Sequence, residues 1–530
     1  MSTPPPAPER PRFSLEDAAG LVVAIVFGVA SFVYPFGRDQ GLYYYVGREW
    51  ALRGAIPYRD VFDHKTPGIY VLHALSVKVF GEVMWGIRII DLAGVLAMAF
   101  VVAWLAAAPG KPIARGTVGR AALFVTLFYY GVLNFWDTAQ SELHYTMLGC
   151  LALAAAQHHA PERRALPFVS GLALGAALVM KPPVMWVGLA VVIVLGKRLR
   201  EQKADVKAIA RTGVTFAVGG AVPLAVTLVY FAKHGALAAM KDIVVGANGY
   251  YVSHEHAKNP VADGVDAIQG YLAHTSPLGA LVVAAAAVAY AIARRVGDSE
   301  TRASYGRALG VSVACFVCIA MQMKFYLLHF TPMIAPLALL GVLASEGASR
   351  GLGGLGFSAR ATRLAPWLVV LAGYFTSPTG RRWVEQQLAV SRYLSGKDDR
   401  QWYLHRYSFA DIHFDYADSE WVGLWLKEHT KEDEPVLVRG FQPEVYASAQ
   451  RRYPGRFYWT LFLTHPARAY RREEYLAEDE KALAETKPRY LVARRDYPDL
   501  DAANPAYYEA RGYRPIVERG YFVIMERSGR

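Results

Sequence analysis

The chain is predicted to be mainly α: a polytopic membrane helix bundle of about eleven transmembrane helices, followed by a small C-terminal α/β domain. Three observations predict this. The 530 residues are 54% hydrophobic, with a mean hydropathy of +0.18, which is too apolar for a soluble enzyme of this length. Several apolar runs reach the ~17–25 residues that a bilayer requires, and the segments joining them alternate between basic and mixed composition. From about residue 378 the long apolar runs stop, and aromatic and charged residues mix. The expected division is therefore residues 1–377 as the membrane domain and 378–530 as the α/β domain.

The apolar runs centre near residues 28, 95, 126, 149, 173, 190, 222, 285, 314, 336 and 370. The first follows a polar, Pro-rich start and carries no small-residue cleavage site, so it reads as an uncleaved span. The fifth and sixth are separated by Lys181-Pro182-Pro183. Proline cannot continue a helix, so they form a hairpin with the lysine at its tip. Every even loop is basic: Lys111, Arg115 and Arg120; Arg163 and Arg164; Lys197 to Arg211; Arg294 to Arg307; Arg350 to Arg363. Basic loops stay in the cytoplasm, which predicts a cytoplasmic N-terminus and an extracytoplasmic C-terminal domain, with a bacterial inner (plasma) membrane as the expected location. The net charge of +12 follows from this topology and does not call for nucleic acid. The three cysteines, Cys150, Cys315 and Cys318, lie in apolar stretches and read as buried thiols.

In the tail, helices are expected over 419–428, 443–449 and 473–485. Strands are expected over 435–440, 456–460 and 489–493, with a final hairpin of 513–518 and 521–526 about Arg519-Gly520. Alternating helices and buried strands predict an α/β unit. No G-x-G-x-x-G or P-loop pattern is present, so a nucleotide site is not expected there.

The odd loops carry most of the acids and bases: Asp39, Asp60, Asp63, His64, Lys65, Asp137, Glu142, Lys181, His254, Glu255, His256, Lys324 and His329. One face of the membrane therefore carries the chemistry, and ionisable groups at a membrane edge are usually retained for function. The densest stretch follows the first span: Asp39, Tyr43-Tyr44-Tyr45, Gly54-Ala55-Ile56-Pro57-Tyr58-Arg59-Asp60, then Phe62-Asp63-His64-Lys65-Thr66-Pro67-Gly68. Phe80-Gly81 and Ile87-Arg88-Ile89-Ile90-Asp91 come next.

This succession resembles the GT-C membrane glycosyltransferases, in particular the dolichyl-phosphate-mannose protein mannosyltransferase and aminoarabinose transferase group (family 39-like). In topology the resemblance covers residues 15–375, and its specific motifs lie between Asp39 and Asp91. It implies an inverting transfer of a sugar from a polyprenyl-phosphate donor to an extracytoplasmic acceptor, which could be envelope glycan, lipid or protein. It also implies Asp39 as the base, with Glu142 or Asp137 as a second acid. Lys65, Asp63, Lys181, Lys324 and His329 are candidates for the phosphate side of the site, and Tyr43 and Tyr44 for its sugar side.

Blander readings stand beside these. Asp39 could pair with Arg38, Asp63 with Lys65 in a local turn, and either second acid could cap a helix N-terminus. Lys181 could simply snorkel. His254-Glu255-His256 on an extended loop would put both imidazoles on one side, compatible with a divalent metal, but without a defined ligand set a solvated polar loop is the preferred reading. No other cofactor is implied. The rival functions are a transporter or flippase for lipid-linked sugars and a catalytically inactive GT-C-like scaffold. A transporter commonly shows internal repeats and midplane charges; this sequence shows one-sided polarity and no repeat.

Overall fold

The computed structural model describes residues 13–254, 259–275, 277–465, 470–496 and 504–528. The first part holds α1 (Leu15–Val29), α2 (Arg38–Arg53), α3 (Pro67–Phe80), α4 (Trp85–Ala106), α5 (Thr117–Tyr129) and α6 (Ser141–Gln157). It continues with α7 (Leu166–Met180), α8 (Met185–Glu201), α9 (Val206–Lys233), α10 (Leu237–Lys241), α11 (Asn248–His254) and α12 (Pro260–Thr275). It closes with α13 (Leu278–Arg295), α14 (Ser299–Ala320), α15 (Ile334–Gly354) and α16 (Ala359–Thr376). Each expected centre falls on a helix: α1, α4 to α9, and α13 to α16.

Among the described residues, seven stretches are long and apolar enough to cross a membrane: Leu15–Val33, Trp85–Ala106, Pro182–Glu201, Val206–Lys233, Leu278–Arg295, Ser299–Ala320 and Leu327–Gly354. The protein is an integral membrane protein. α5 and α7 are shorter apolar helices. α5 is buried along its whole length, so surrounding protein rather than lipid sets how long it must be.

Local chemistry fixes the ends. Ser14 and Asp17 form a capping box on α1. The Asp17 carboxylate also accepts from the backbone of Gly116 and Gly119 at 3.1 Å each, pinning α1 to the start of α5. Asp205 caps α9 through the Ala208 amide at 2.7 Å. The Pro182-Pro183 break separates α7 from α8 as expected. The described residues between 233 and 275 depart from the extended loop expected around His254. They form α10, a π-helical turn over Asp242–Ala247, α11 and α12.

The tail comprises α17 (Pro378–Leu394), α18 (Arg400–His405), a short ladder of β1 (Ser408–Phe409) and β2 (Phe414–Asp415), α19 (Tyr416–His429), β3 (Leu437–Val438), α20 (Pro443–Ala449), α21 (Leu461–Thr464), α22 (Arg472–Thr486), β4 (Tyr490–Arg494), α23 (Pro505–Glu509), β5 (Tyr513–Arg519) and β6 (Phe522–Arg527). The main sheet has the order β3-β4-β6-β5, with β3 parallel to β4 and the other pairs antiparallel. The expected strand over 456–460 is absent. Phe457, Tyr458, Trp459 and Thr460 are buried on every side, so the run serves as an aromatic wedge between the first loop and the sheet. One core joins Leu42, Tyr45, Tyr58, Phe62 and Tyr70 to Val438, Tyr446, Trp459, Leu491 and Ile524.

Candidate active site

Asp39 lies in the first turn of α2, and Tyr43 follows one helical turn later on the same face. The start of α2 is clamped to the loop between α5 and α6. Gln40 donates through Nε2 to the carbonyls of Phe135 (3.0 Å), Trp136 (2.8 Å) and Thr138 (2.8 Å). From α4, Arg88 donates to Thr138 Oγ1 (2.7 Å), the Pro35 carbonyl (3.0 Å) and the Phe135 carbonyl (3.1 Å). One turn on, Asp91 accepts from the hydroxyls of Tyr129 (2.7 Å) and Tyr130 (3.0 Å) and from the Ala139 amide (3.1 Å). Together these contacts fix the loop that carries Asp137 beside Asp39.

A second clamp sets Lys65. Its amide donates to the Tyr70 hydroxyl (3.1 Å), and its carbonyl accepts from Tyr58 (2.8 Å). Thr66 Oγ1 donates to the Met180 carbonyl (2.5 Å). Gly68 is pressed against the end of α7, where a Cβ would meet Met180 Cα and the Val179 carbonyl at 2.9 Å each. The Lys65-Thr66-Pro67-Gly68 turn is thereby docked onto the helix that ends at Lys181. Lys181 forms an ion pair with Glu142, in the first turn of α6. Ser141 Oγ donates to the other Glu142 oxygen at 3.1 Å. His329 holds the Lys324 carbonyl through Nδ1 (2.7 Å) and lies within electrostatic reach of Glu142, Lys181 and Lys65.

The result is one constellation: Asp39, Asp63, Lys65, Asp137, Glu142, Lys181 and His329, with Tyr43 alongside. Its members are not equally committed. Glu142 and Lys181 occupy each other. Asp63 accepts from the His64 amide (2.7 Å) and lies 3.1 Å from its Nδ1, so no turn pair with Lys65 exists. Arg38 donates to the Ile412 carbonyl (3.0 Å), so Asp39 is not paired with its neighbour. The Asp39 carboxylate makes no hydrogen bond or ion pair with any described residue, and neither does the Lys65 ammonium. Both keep partial solvent access.

Electrostatics favour proton uptake at two of these acids. Burial among protein holds the Asp39 carboxyl above its ordinary value. Lys65 opposes this, Glu142 and Asp63 push it further up, and Lys181 pulls it down. Asp137 is pushed up to about 7, chiefly by burial, with the Asn134 backbone opposing and the Asp39 and Glu142 charges adding to it.

Three candidates stand apart. Tyr44 packs on Phe36 (ring centroids 5.3 Å apart), with Glu82 and Arg48 as its charged neighbours, and is not brought to the constellation. The Lys324 ammonium lies over the Tyr251 ring, 3.0 Å from its centroid. Tyr251 meets His64 edge-on at 5.6 Å, which links Lys324 to the constellation through α11. His254 ends α11, exposed, stacked on Tyr250 with ring centroids 4.0 Å apart. The extended-strand argument for a metal pair therefore fails at His254, and His256 lies outside the described residues. Among the described residues no group of three or more His, Cys, Asp or Glu side chains could hold a metal ion.

No family model and no curated protein matches the chain. Solved structures do. ArnT from Cupriavidus metallidurans bound to undecaprenyl phosphate superposes with a TM-score of 0.61 at 14% identity, covering 96% of this chain and 97% of that one. The same protein in the apo state gives a TM-score of 0.58 at 15% identity over the same shares. The chain has the ArnT fold. The likeness spans both the bundle and the tail, so the tail is part of the ArnT-like architecture and not an appended module.

The positioning residues Gln40, Tyr58, Tyr70, Arg88 and Asp91 carry no role in the sequence reading. Arg88 and Asp91 had a usable signal, being two charges inside an otherwise apolar span. Gln40 had none, because its partners lie far away in the chain; Tyr58 and Tyr70 bond to nearby Lys65, but no spacing pattern marks those bonds.

Proposed function

We propose that the protein is an inverting glycosyltransferase that moves a sugar from a polyprenyl-phosphate carrier to an extracytoplasmic acceptor. The observation that carries this reading is the pair of uncommitted groups, Asp39 and Lys65, brought together in a chain with the ArnT fold, whose solved relative binds undecaprenyl phosphate. Asp39 has a lone pair available to accept a proton. Lys65 has a charge available for a phosphate.

In this reading the acceptor hydroxyl donates its proton to Asp39 as its oxygen attacks the anomeric carbon. The bond from that carbon to the phosphate oxygen breaks, and polyprenyl phosphate departs with the electron pair. A single displacement inverts the centre and needs no covalent carboxylate. Lys65 stabilises the departing phosphate charge as it develops, with His329 flanking. Lys181, spent on Glu142, positions that acid. Tyr43 borders the sugar. The N-terminus lies in the cytoplasm and the constellation faces outward, at the membrane–water boundary that a lipid-bound donor can reach.

The test is transfer by purified protein with a panel of polyprenyl-phosphate sugars. Asp39→Asn should lower kcat by about 10²–10⁴-fold, the usual contribution of a general base, with an unchanged melting temperature because the carboxylate holds no partner. Full activity in Asp39→Asn would overturn the assignment. Gradient-driven lipid movement without transfer would establish the transporter reading instead.

A further inference from the structure

The other end of the bundle carries a cavity whose polar groups are basic or neutral. α6 has 17 residues, about 25 Å at 1.5 Å per residue, so its far end lies well away from Glu142. There, between the α6–α7 turn, the end of α8 and the start of α9, is a cavity of about 110 Å³ lined by His159, Arg164, Leu199, Gln202, Arg211 and Thr212, among others. The lining is basic and contains no acid. Arg164 and Arg211 make no ion pair or hydrogen bond through their side chains to any described residue. His159 is only 5% exposed, yet its Nδ1 has no hydrogen-bond partner among the described residues. Its carbonyl is held by Gln202 Nε2 at 2.8 Å, which keeps the imidazole at the wall. Burial, with the Arg198 and Arg211 charges behind it, holds His159 below its ordinary value; Arg198 is paired with Glu201 at 2.6 Å, whereas Arg211 is paired with no described residue.

A buried imidazole nitrogen without a partner is costly unless something satisfies it, and the exposed guanidinium groups of Arg164 and Arg211 beside it leave two positive charges free for an anion. We infer that this cavity binds a phosphate group, delivered by the headgroup of an anionic membrane lipid. The cavity suits one tetrahedral oxyanion and is too small for a nucleotide. The lipid source follows from α9, the least enclosed of the apolar spans. Val206 (83% exposed), Val214 (63%) and Val218 (52%) form an uncovered apolar face running away from the cavity mouth, along which acyl chains would lie. Basic pockets between spans at the cytoplasmic end of a bundle hold phospholipid headgroups by this chemistry. The inference is independent of the reaction proposed for the Asp39 face.

The test uses delipidated full-length protein in a neutral detergent. Native mass spectrometry and thermal melting are followed with added phosphatidylglycerol, phosphatidylethanolamine or inorganic phosphate. Arg164→Gln/Arg211→Gln is the control variant, since both side chains are exposed and unpaired and their loss leaves no buried partner. Wild type should retain phosphatidylglycerol in preference to phosphatidylethanolamine and melt higher with it, and the double variant should bind it at least about ten-fold more weakly. Phosphate raising the melting point of wild type alone, with no lipid preference, would assign the site to free phosphate and overturn the lipid source. Equal phosphatidylglycerol binding by wild type and variant would overturn the site.

Discussion

At the scale of single residues, the constellation is organised by which charges are already spent. Four carboxyls (Asp39, Asp63, Asp137 and Glu142) face two ammonium groups (Lys65 and Lys181), and full ionisation would leave an acidic excess that opposes the proposed binding of a donor phosphate. Raising Asp137 to about 7 relieves part of that excess. A carboxyl that holds its proton longer in the folded state than its unfolded value of about 3.9 makes the folded state the stronger proton binder. Its contribution to stability is therefore present below about pH 4 and is lost as pH rises towards 7. Asp137→Asn should flatten the decline of melting temperature between pH 4 and pH 7; an unchanged slope would exclude Asp137 as its source. Because Asp137 keeps its proton below about pH 7, the same substitution removes no charge from Asp39 there, and the acid limb of kcat/KM should stay in place. A limb that moves to lower pH would show the two carboxyls titrating together.

At the scale of elements, the clamp between α2, α4 and the α5–α6 loop decides whether Asp39 and Asp137 stay together. Arg88 is fully buried and supplies three of its hydrogen bonds. Arg88→Met keeps the apolar stem but leaves the Pro35 carbonyl bare, while the Phe135 carbonyl keeps its bond from Gln40, at about 1–3 kcal/mol for one buried group. We expect a destabilisation of about 1–3 kcal/mol, visible as a lower melting temperature in detergent, together with weaker transfer. Wild-type melting would show that the clamp is redundant. Elements of this kind also mark what the sequence could convey. Helix positions were legible because span-length apolar runs and basic loops are local signals, and so was the Pro182-Pro183 hairpin. The aromatic wedge at 457–460 looked like a strand because β-formers dominate it, and only tertiary packing denied it a ladder partner. The helices over 237–275 were hidden by their polarity. In the site, the acids and lysines stood out as charges at a membrane edge, whereas Gln40 acts through partners in the α5–α6 loop that local sequence cannot reveal.

At the scale of the whole molecule, the boundary near residue 378 marks a change of composition, yet the hydrophobic core does not divide there. The first loop and the tail are joined by backbone and side-chain hydrogen bonds: the Tyr453 amide to the Tyr45 hydroxyl (2.7 Å), the Phe62 amide to the Arg456 carbonyl (2.9 Å), the Tyr458 hydroxyl to the Leu42 carbonyl (3.1 Å), and Arg48 to the Gln450 carbonyl (2.7 Å). The N-terminal end of α20 presses on α2 at Gly41, where a Cβ would meet the Glu444 amide at 2.9 Å. Buried Glu444 lies within electrostatic reach of Arg38, the residue before Asp39. The tail is thus the outer wall of the helix that carries the proposed base. Removing it would expose Tyr45, Tyr58 and Phe62, each 5% exposed or less in the intact chain, at about 1.5–3 kcal/mol for each large apolar side chain uncovered. That total is a large share of the 5–15 kcal/mol that stabilises a typical native protein. A chain ending at residue 377 should therefore keep its spans but lose α2. Hydrogen exchange of α2 amides should rise to the level of unprotected backbone, and transfer should cease even with Asp39 present. If α2 remained protected in the truncated chain, the tail would be dispensable for the fold of the site, and its contact with α2 would have to be explained by something other than support.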